Sequence, residues 1–130
     1  MTRRTKPPIA DRELCPRFHA AVELIGRRWT GAILYLLLQS PAGFAQLRDA
    51  IPGVTDRMLS ERLRELETEG VLERSVLGDA PVRVRYALTP KGEALHAVMG
   101  GIARWSHDWL PAPRPREAPK GAAPRPRVRA

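Results

Sequence analysis

Cysteine is nearly missing from this chain of 130 residues: Cys15 stands alone. No internal disulfide can form, and one unpaired thiol fits a reducing cytoplasm. Long apolar runs are missing too. The longest wholly apolar stretch, Ala32 to Leu38, falls far short of the roughly 18 residues that span a bilayer. No apolar segment follows the Arg3-Arg4 pair, so no signal peptide and no membrane partner are expected. The marks of an enzyme are also lacking. His19, His96 and His107 do not have metal-ligand spacing. There is no phosphate-binding glycine loop, and no nucleophile with a paired base and an orienting acid. No metal, cofactor or catalytic residue is expected.

What is present suits one small domain. Hydrophobic residues make up 43% of the chain, enough for a single core. The formal net charge is +8, but the ends carry most of it: +5 in residues 111–130 and +2 in residues 1–14, leaving +1 for 15–110. The basic ends attract polyanions without regard to sequence; they do not make the folded body a DNA binder. Residues 1–14 read as a flexible basic arm, 15–110 as the folded domain and 111–130, with six prolines, as a disordered Pro/Arg-rich tail. The Pro-Arg-Pro-Arg runs at 113–116 and 124–127 resemble minor-groove arms, against the simpler reading of a low-complexity basic tail.

Within the body, Cys15-Pro16 opens a first helix with Pro at the tolerated first position, and Gly26 ends it. Phe18, Ala21, Val22, Leu24 and Ile25 are its apolar residues. A second helix is expected from about Arg28 to Gln39, with Trp29, Ile33, Leu36 and Leu37 at helical spacing and a stripe wide enough for central burial. Ser40-Pro41-Ala42-Gly43 breaks it. A short third helix places Phe44, Leu47 and Ile51 inward and closes at Pro52-Gly53. After Gly70 the period changes to two. Val82, Val84, Tyr86 and Leu88 alternate with polar or small residues, and Gly78-Asp79-Ala80-Pro81 makes the preceding loop, so 72–88 reads as a β-hairpin. Arg83 and Arg85 share one strand face, to lie along phosphates or to meet water. Thr89-Pro90 caps one last long helix. On it Leu95, Val98, Met99, Ile102, Trp105 and Trp109 form a seam close to heptad spacing, read here as a dimer surface joined by Phe18 and Val22. The alternative is that the seam folds back on its own core.

Between the third helix and the hairpin lies the stretch around which these pieces are arranged, Gly53 to Glu67. Thr55 is a good N-cap. Leu59, Leu63 and Leu66 recur at i, i+4 and i+7 and share one face. At about 100° per residue, Arg57, Ser60, Glu61, Arg64 and Thr68 fall opposite them. Arg57 opposes the helix dipole in the first turn, while Glu65, Glu67 and Glu69 crowd the far end, where acids are also unfavourable. A basic, hydroxyl-bearing leading half suits insertion by the N-terminus into a DNA groove. A solvated face with mixed ion pairs such as Glu61–Arg64 is the plainer explanation. A short helix, a Pro-Gly turn and a longer amphipathic helix is a helix-turn-helix pattern, and the hairpin after it is a wing.

The order of elements, and several short motifs, resemble the HxlR family of bacterial transcriptional regulators, relatives of MarR-type repressors. The motifs are Cys15-Pro16, Ile25-Gly26-Arg27-Arg28-Trp29-Thr30, and Phe44-x-x-Leu47 through Ile51-Pro52-Gly53. Further on are Met58-Leu59-Ser60-x-Arg62-Leu63-x-x-Leu66-x-x-x-Gly70-Val71 and Tyr86-x-Leu88-Thr89-x-Lys91-Gly92. The resemblance implies a mainly α fold with a small β-hairpin, a winged helix-turn-helix with N- and C-terminal dimerisation helices. It implies homodimers on inverted-repeat operators in double-stranded DNA, a repressor, and a cytoplasmic location on the nucleoid when bound. Thr55, Arg57, Met58, Ser60, Glu61 and Arg64 would then serve the recognition helix, and Arg83 and Arg85 the wing. This chain departs from the family pattern at Gly43, where a basic residue is usual, and at Arg85, where Glu is usual, so backbone contacts are redistributed.

Some members of that family sense oxidants or electrophiles through a cysteine at the place of Cys15, which makes it the candidate sensor for an oxidant or small-molecule effector. A thiol at a helix N-terminus has its thiolate favoured by the dipole, and Arg12 and Arg17 are near in sequence. The alternative is a small inert residue packed under the first helix. A different class of function also fits the composition: a winged-helix protein-interaction module whose basic ends bind nucleic acid nonspecifically.

Overall fold

Pro16 begins α1 (Pro16–Ile25), with Cys15 as N-cap and Gly26 as C-cap. The computed structural model describes residues 5–113; Arg3 and Arg4 of the arm and the tail from Arg114 onward lie outside the described residues. No residue of α1 is buried; Leu24 and Ile25 only lean on the core from its edge. The second helix, α2 (Thr30–Gln39), starts two residues later than its apolar period suggests. Trp29 has φ +75°, in the left-handed region, so it precedes the helix and is not the first member of its stripe. As its breadth of apolar residues predicts, α2 is central: Thr30, Ile33, Leu34 and Leu37 are all buried.

A two-residue strand, β1 (Ala42–Gly43), leads directly into α3 (Phe44–Ala50), and α4 (Asp56–Thr68) follows after the Pro52-Gly53 turn. The hairpin is β2 (Leu72–Leu77) with β3 (Arg83–Leu88), antiparallel, Leu72 opposite Leu88 and Leu77 opposite Arg83. β1 pairs with the other edge of β3, Gly43 opposite Arg85, so the sheet has three strands in the order β1-β3-β2. The sequence reading takes 40–43 only as a helix breaker; a two-residue strand is too short to show a period.

The core is one cluster. Leu59, Leu63 and Leu66 of α4 meet Ile33, Leu34 and Leu37 of α2, Leu47 and Ile51 of the α3 region, and Val71, Leu72 and Tyr86 of the sheet. Full burial stabilises each leucine by about 1.5–3 kcal/mol.

Where α4 ends, three elements are tied together. Gly70, at φ +72°, reverses the chain. Val71 N–H donates to the Leu66 carbonyl at 2.9 Å and Gly70 N–H to the Glu67 carbonyl at 3.0 Å, the paired bonds of a Schellman cap. The Val71 carbonyl then accepts from both the backbone N–H and the hydroxyl of Thr89, each at 3.1 Å. Thr89 Oγ1 also donates to the Gly70 carbonyl, and Lys91 Nζ to the Glu69 carbonyl. A cation at the carbonyl end of α4 is well placed against its dipole. These contacts are what the Thr89-x-Lys91-Gly92 motif does in the fold.

They also explain why the last helix is not continuous. Thr89 caps a single turn, α5 (Pro90–Glu93), and α6 (His96–Trp109) begins only after Ala94 and Leu95. Leu95 N–H reaches back three residues to the Gly92 carbonyl, a tighter bond than α-helix makes. The break follows from how closely α5 is drawn to Val71: a Cβ on Gly92 would lie 2.1 Å from the Val71 carbonyl oxygen. Gly92→Ala should therefore lose roughly 1–3 kcal/mol in urea unfolding, as overpacked sites do. Gly31→Ala, where nothing lies within 4 Å of the new Cβ, should be neutral or gain roughly 0.5–1 kcal/mol.

Candidate nucleic-acid interface

Burial of its leucine face turns the other side of α4 outward. Thr55 caps the helix, its hydroxyl accepting from Met58 N–H at 3.2 Å. Arg57 is 88% exposed in its side chain and meets only Glu61 of its own helix, Nε to Oε1 at 3.4 Å. Ser60 and Arg64 are exposed, and Met58 and Glu61 half-buried. The mixed pair on this face is thus Arg57–Glu61; among the described residues no Glu61–Arg64 ion pair is present. Arg64 lies toward α1, in a shallow cleft with Leu24 and Arg27, and so sits apart from the helix's leading turn.

The first helix of the motif is tied to the second by Arg48, whose Nη1 lies 3.6 Å from Asp56 Oδ1. Both side chains are largely exposed, so the pair contributes little to stability. On the wing, Arg83 and Arg85 are exposed on β3, two residues apart and on one face. With Phe44, Ala45 and Gln46 at the start of α3 they line an open concavity of about 630 Å³ beside the sheet edge. Gly43, in the short strand opposite Arg85, gives its N–H to Gln46 Oε1 at 2.8 Å and presents no side chain there.

One side chain escapes a reading based on the polar face alone. Arg62 borders the apolar arc of α4, about 40° beyond Leu66 on the helical wheel, and is only 9% exposed. Its Nε donates to the Arg28 carbonyl at 3.0 Å and its Nη1 to Glu65 Oε1 at 2.8 Å. A charged residue bordering the leucine arc, close enough to it to be drawn out of water, is the sequence signal that could have found it.

The remaining candidates divide. Cys15 is exposed, and its side chain makes no capping hydrogen bond, so it is not packed under α1. Phe18, Val22, Val98, Ile102, Trp105 and Trp109 are all exposed, Trp109 by 75%. Met99 is buried and Leu95 half-buried against the domain's own core, so these two members of the expected dimer seam face inward. The reason is angular: the seam spans more than one face, and its inner edge meets α2. Between α1 and the α5–α6 junction, Ala21, Leu24, Ile25, Val71 and Leu95 line a mostly apolar cleft of about 310 Å³ with Lys91 at its edge. No described helix is long and apolar enough to cross a membrane.

A helix-turn-helix whose second helix is buried by one face and bare on the other, flanked by a β-hairpin carrying exposed arginines, defines a winged helix-turn-helix protein. The family model described as HxlR-like helix-turn-helix matches residues 24–114, and the chain belongs to that family. Its relatives include the HTH-type transcriptional regulators YvaP and YodB of Bacillus subtilis (strain 168). YvaP is 44% identical over 98 residues, covering 75% of this chain and 91% of YvaP. YodB is 42% identical over 93 residues, covering 72% and 83%. The solved reduced form of YodB superposes with a TM-score of 0.68 at 40% identity, over 75% of this chain and 96% of that one. The oxidised form of the redox regulator HypR gives 0.70 at 31%, over 75% and 100%. The chain is therefore a helix-turn-helix transcriptional regulator of a DNA-binding, non-enzymatic family.

Since the Thr55 hydroxyl is the side-chain N-cap of α4, Thr55→Ala should lower folding stability by about 1 kcal/mol. Thr55→Ser should retain it, as read from thermal unfolding of the two variants side by side.

Proposed function

We propose that two copies of this chain pair through α1 and α6 and act as a repressor on an inverted-repeat operator. The observation that carries this reading is the bare outer face of α4, led by the exposed Arg57 guanidinium, whose one ion pair is with Glu61 of the same helix. In a symmetric pair, two such helices about 34 Å apart would enter successive major grooves. Arg57, Ser60 and Arg64 approach base edges or flanking phosphates, with Thr55, Met58 and Glu61 shaping the same surface, while Arg83 and Arg85 follow the backbone.

Pairing is supported by the exposed row Val98, Ile102, Trp105 and Trp109 on α6 and by Phe18 and Val22 on α1. Apolar patches of this kind mark association surfaces. Gly100 and Gly101, with nothing within 4 Å of an added Cβ, leave the middle of α6 open to close approach at a cost of roughly 0.5–1 kcal/mol each in helix stability.

Cys15 is the sensor in this reading. It is exposed at the start of α1, the helix proposed to meet the partner, so oxidation or alkylation there acts on the interface. The related YodB has been solved reduced, diamide-treated and quinone-bound, which supports an oxidant or quinone-like effector here.

Footprinting on the gene's own upstream region, with and without a thiol oxidant, tests site, symmetry and trigger together. A symmetric protected site is expected. Arg57→Ala should weaken binding there by roughly 1–3 kcal/mol while sparing a scrambled duplex. Equal loss on both would remove the base-reading role and favour nonspecific binding through the basic ends. Cys15→Ser should leave operator affinity intact and abolish the oxidant response; an undiminished response would clear Cys15 of that role.

A further inference from the structure

Glu65 stands in the last turns of α4, where the helix dipole disfavours an acid. Two guanidiniums account for it. Glu65 Oε1 accepts from Arg62 Nη1 at 2.8 Å and from Arg27 Nη1 at 3.0 Å. Arg62, 11% exposed in its side chain, spends its Nε on the Arg28 carbonyl at 3.0 Å. Arg27 and Arg28 belong to the turn that follows Gly26, the end of α1. One carboxylate and one nearly buried guanidinium therefore bind the α1–α2 turn to α4.

The same turn touches the motif a second time. Trp29 holds an αL conformation, which costs about 1–3 kcal/mol for a residue with a bulky side chain. Its ring lies 4.7 Å from the Arg28 guanidinium carbon and reaches the turn before α4, where a Cβ on Gly53 would sit 3.5 Å from it. Three consecutive residues thus hold α4 at two places, Trp29 at the turn before it and Arg27 and Arg28 at its trailing half. Two separated points fix a rod's tilt where one would leave it free to swing. No residue of α1 is buried, so this turn is the firm part of that helix's attachment.

We propose that Glu65, held by Arg27 and Arg62, is a positioning joint that sets the angle of the recognition helix relative to α1. It touches no base; it acts through where it puts Arg57 and Ser60. A displacement of α1, whatever its cause, is passed to α4 through this joint and the Trp29 contact. The inference rests on the DNA-binding reading above, but its geometry belongs to the protein alone.

Charge alone and positioning predict different outcomes for one substitution. Glu65→Gln removes a negative charge, so electrostatics by itself tightens binding to every duplex. Loss of the joint instead lowers the ratio of operator to scrambled-duplex affinity by about tenfold, in the range of ordinary coupling between sites. Arg62→Lys keeps net charge but not the two-pronged grip, and should lower the ratio likewise, with Arg27→Ala adding nothing to Glu65→Gln. Competition binding with full-length protein on both duplexes, alongside melting temperatures, reads these outcomes. A ratio unchanged within about twofold in Glu65→Gln and Arg62→Lys, or parallel losses on both duplexes that track reduced stability, would overturn the proposal. Were the wild-type chain to prefer no duplex at all, the DNA-binding reading would fall, and amide hydrogen exchange on free protein would decide the joint. Faster exchange in Glu65→Gln across both the 27–30 turn and α4 upholds it; exchange unchanged in either element refutes it.

Discussion

The arrangement depends on the burial of three leucines, Leu59, Leu63 and Leu66, against the centre of α2. They leave water almost completely, and each is stabilised by about 1.5–3 kcal/mol, a large share of what a small domain has in hand. A helix buried by one stripe must show its other side. The outward direction of Arg57, Ser60 and Arg64 is therefore a consequence of core formation and needs no interaction of its own. Everything around α4 keeps that stripe in place: α3 packs beneath it through Leu47, and Val71 and Leu72 continue the apolar surface into the wing.

Along its length α4 is secured by side chains that have little to do with hydrophobic burial. Thr55 satisfies a donor at one end; Gly70, Thr89 and Lys91 satisfy carbonyls at the other. The polar ties at the C-terminal end are shared with the start of β2 and with α5, so hairpin, α4 and the final helical segment meet at the Val71 carbonyl. Such a junction couples the orientation of the wing to that of α4.

By contrast, α1 and the outer side of α6 are fastened loosely or not covered. Large apolar side chains lie exposed on both, from Phe18 to Trp109. The near-neutral body and the basic ends distinguish the chain from a uniformly basic one. Most of the net positive charge comes from residues 1–14 and 111–130, while the arginines of the body are nearly balanced by acids.

Periodicity was enough for the number and order of the main helices, for the hairpin and for the leucine face, because those follow from local spacing of apolar residues. The caps at Thr55 and Thr89-Pro90 were legible for the same reason, since their bonds close within one turn, and the start at Cys15-Pro16 was legible from the proline at the first helical position. The chain's order of motifs carried the family. Tertiary structure alone decided the rest. Strand β1 exists only because β3 offers it an edge, and the break at Leu95 only because Gly92 must approach Val71. Trp29 adopts a left-handed backbone that no local rule favours. Met99 turns inward although its spacing matches that of its exposed neighbours, because α2 lies on that side. Arg62 and Glu65 meet residues 34 and 38 positions away in the chain, and no pattern of local spacing encodes a partner at that distance.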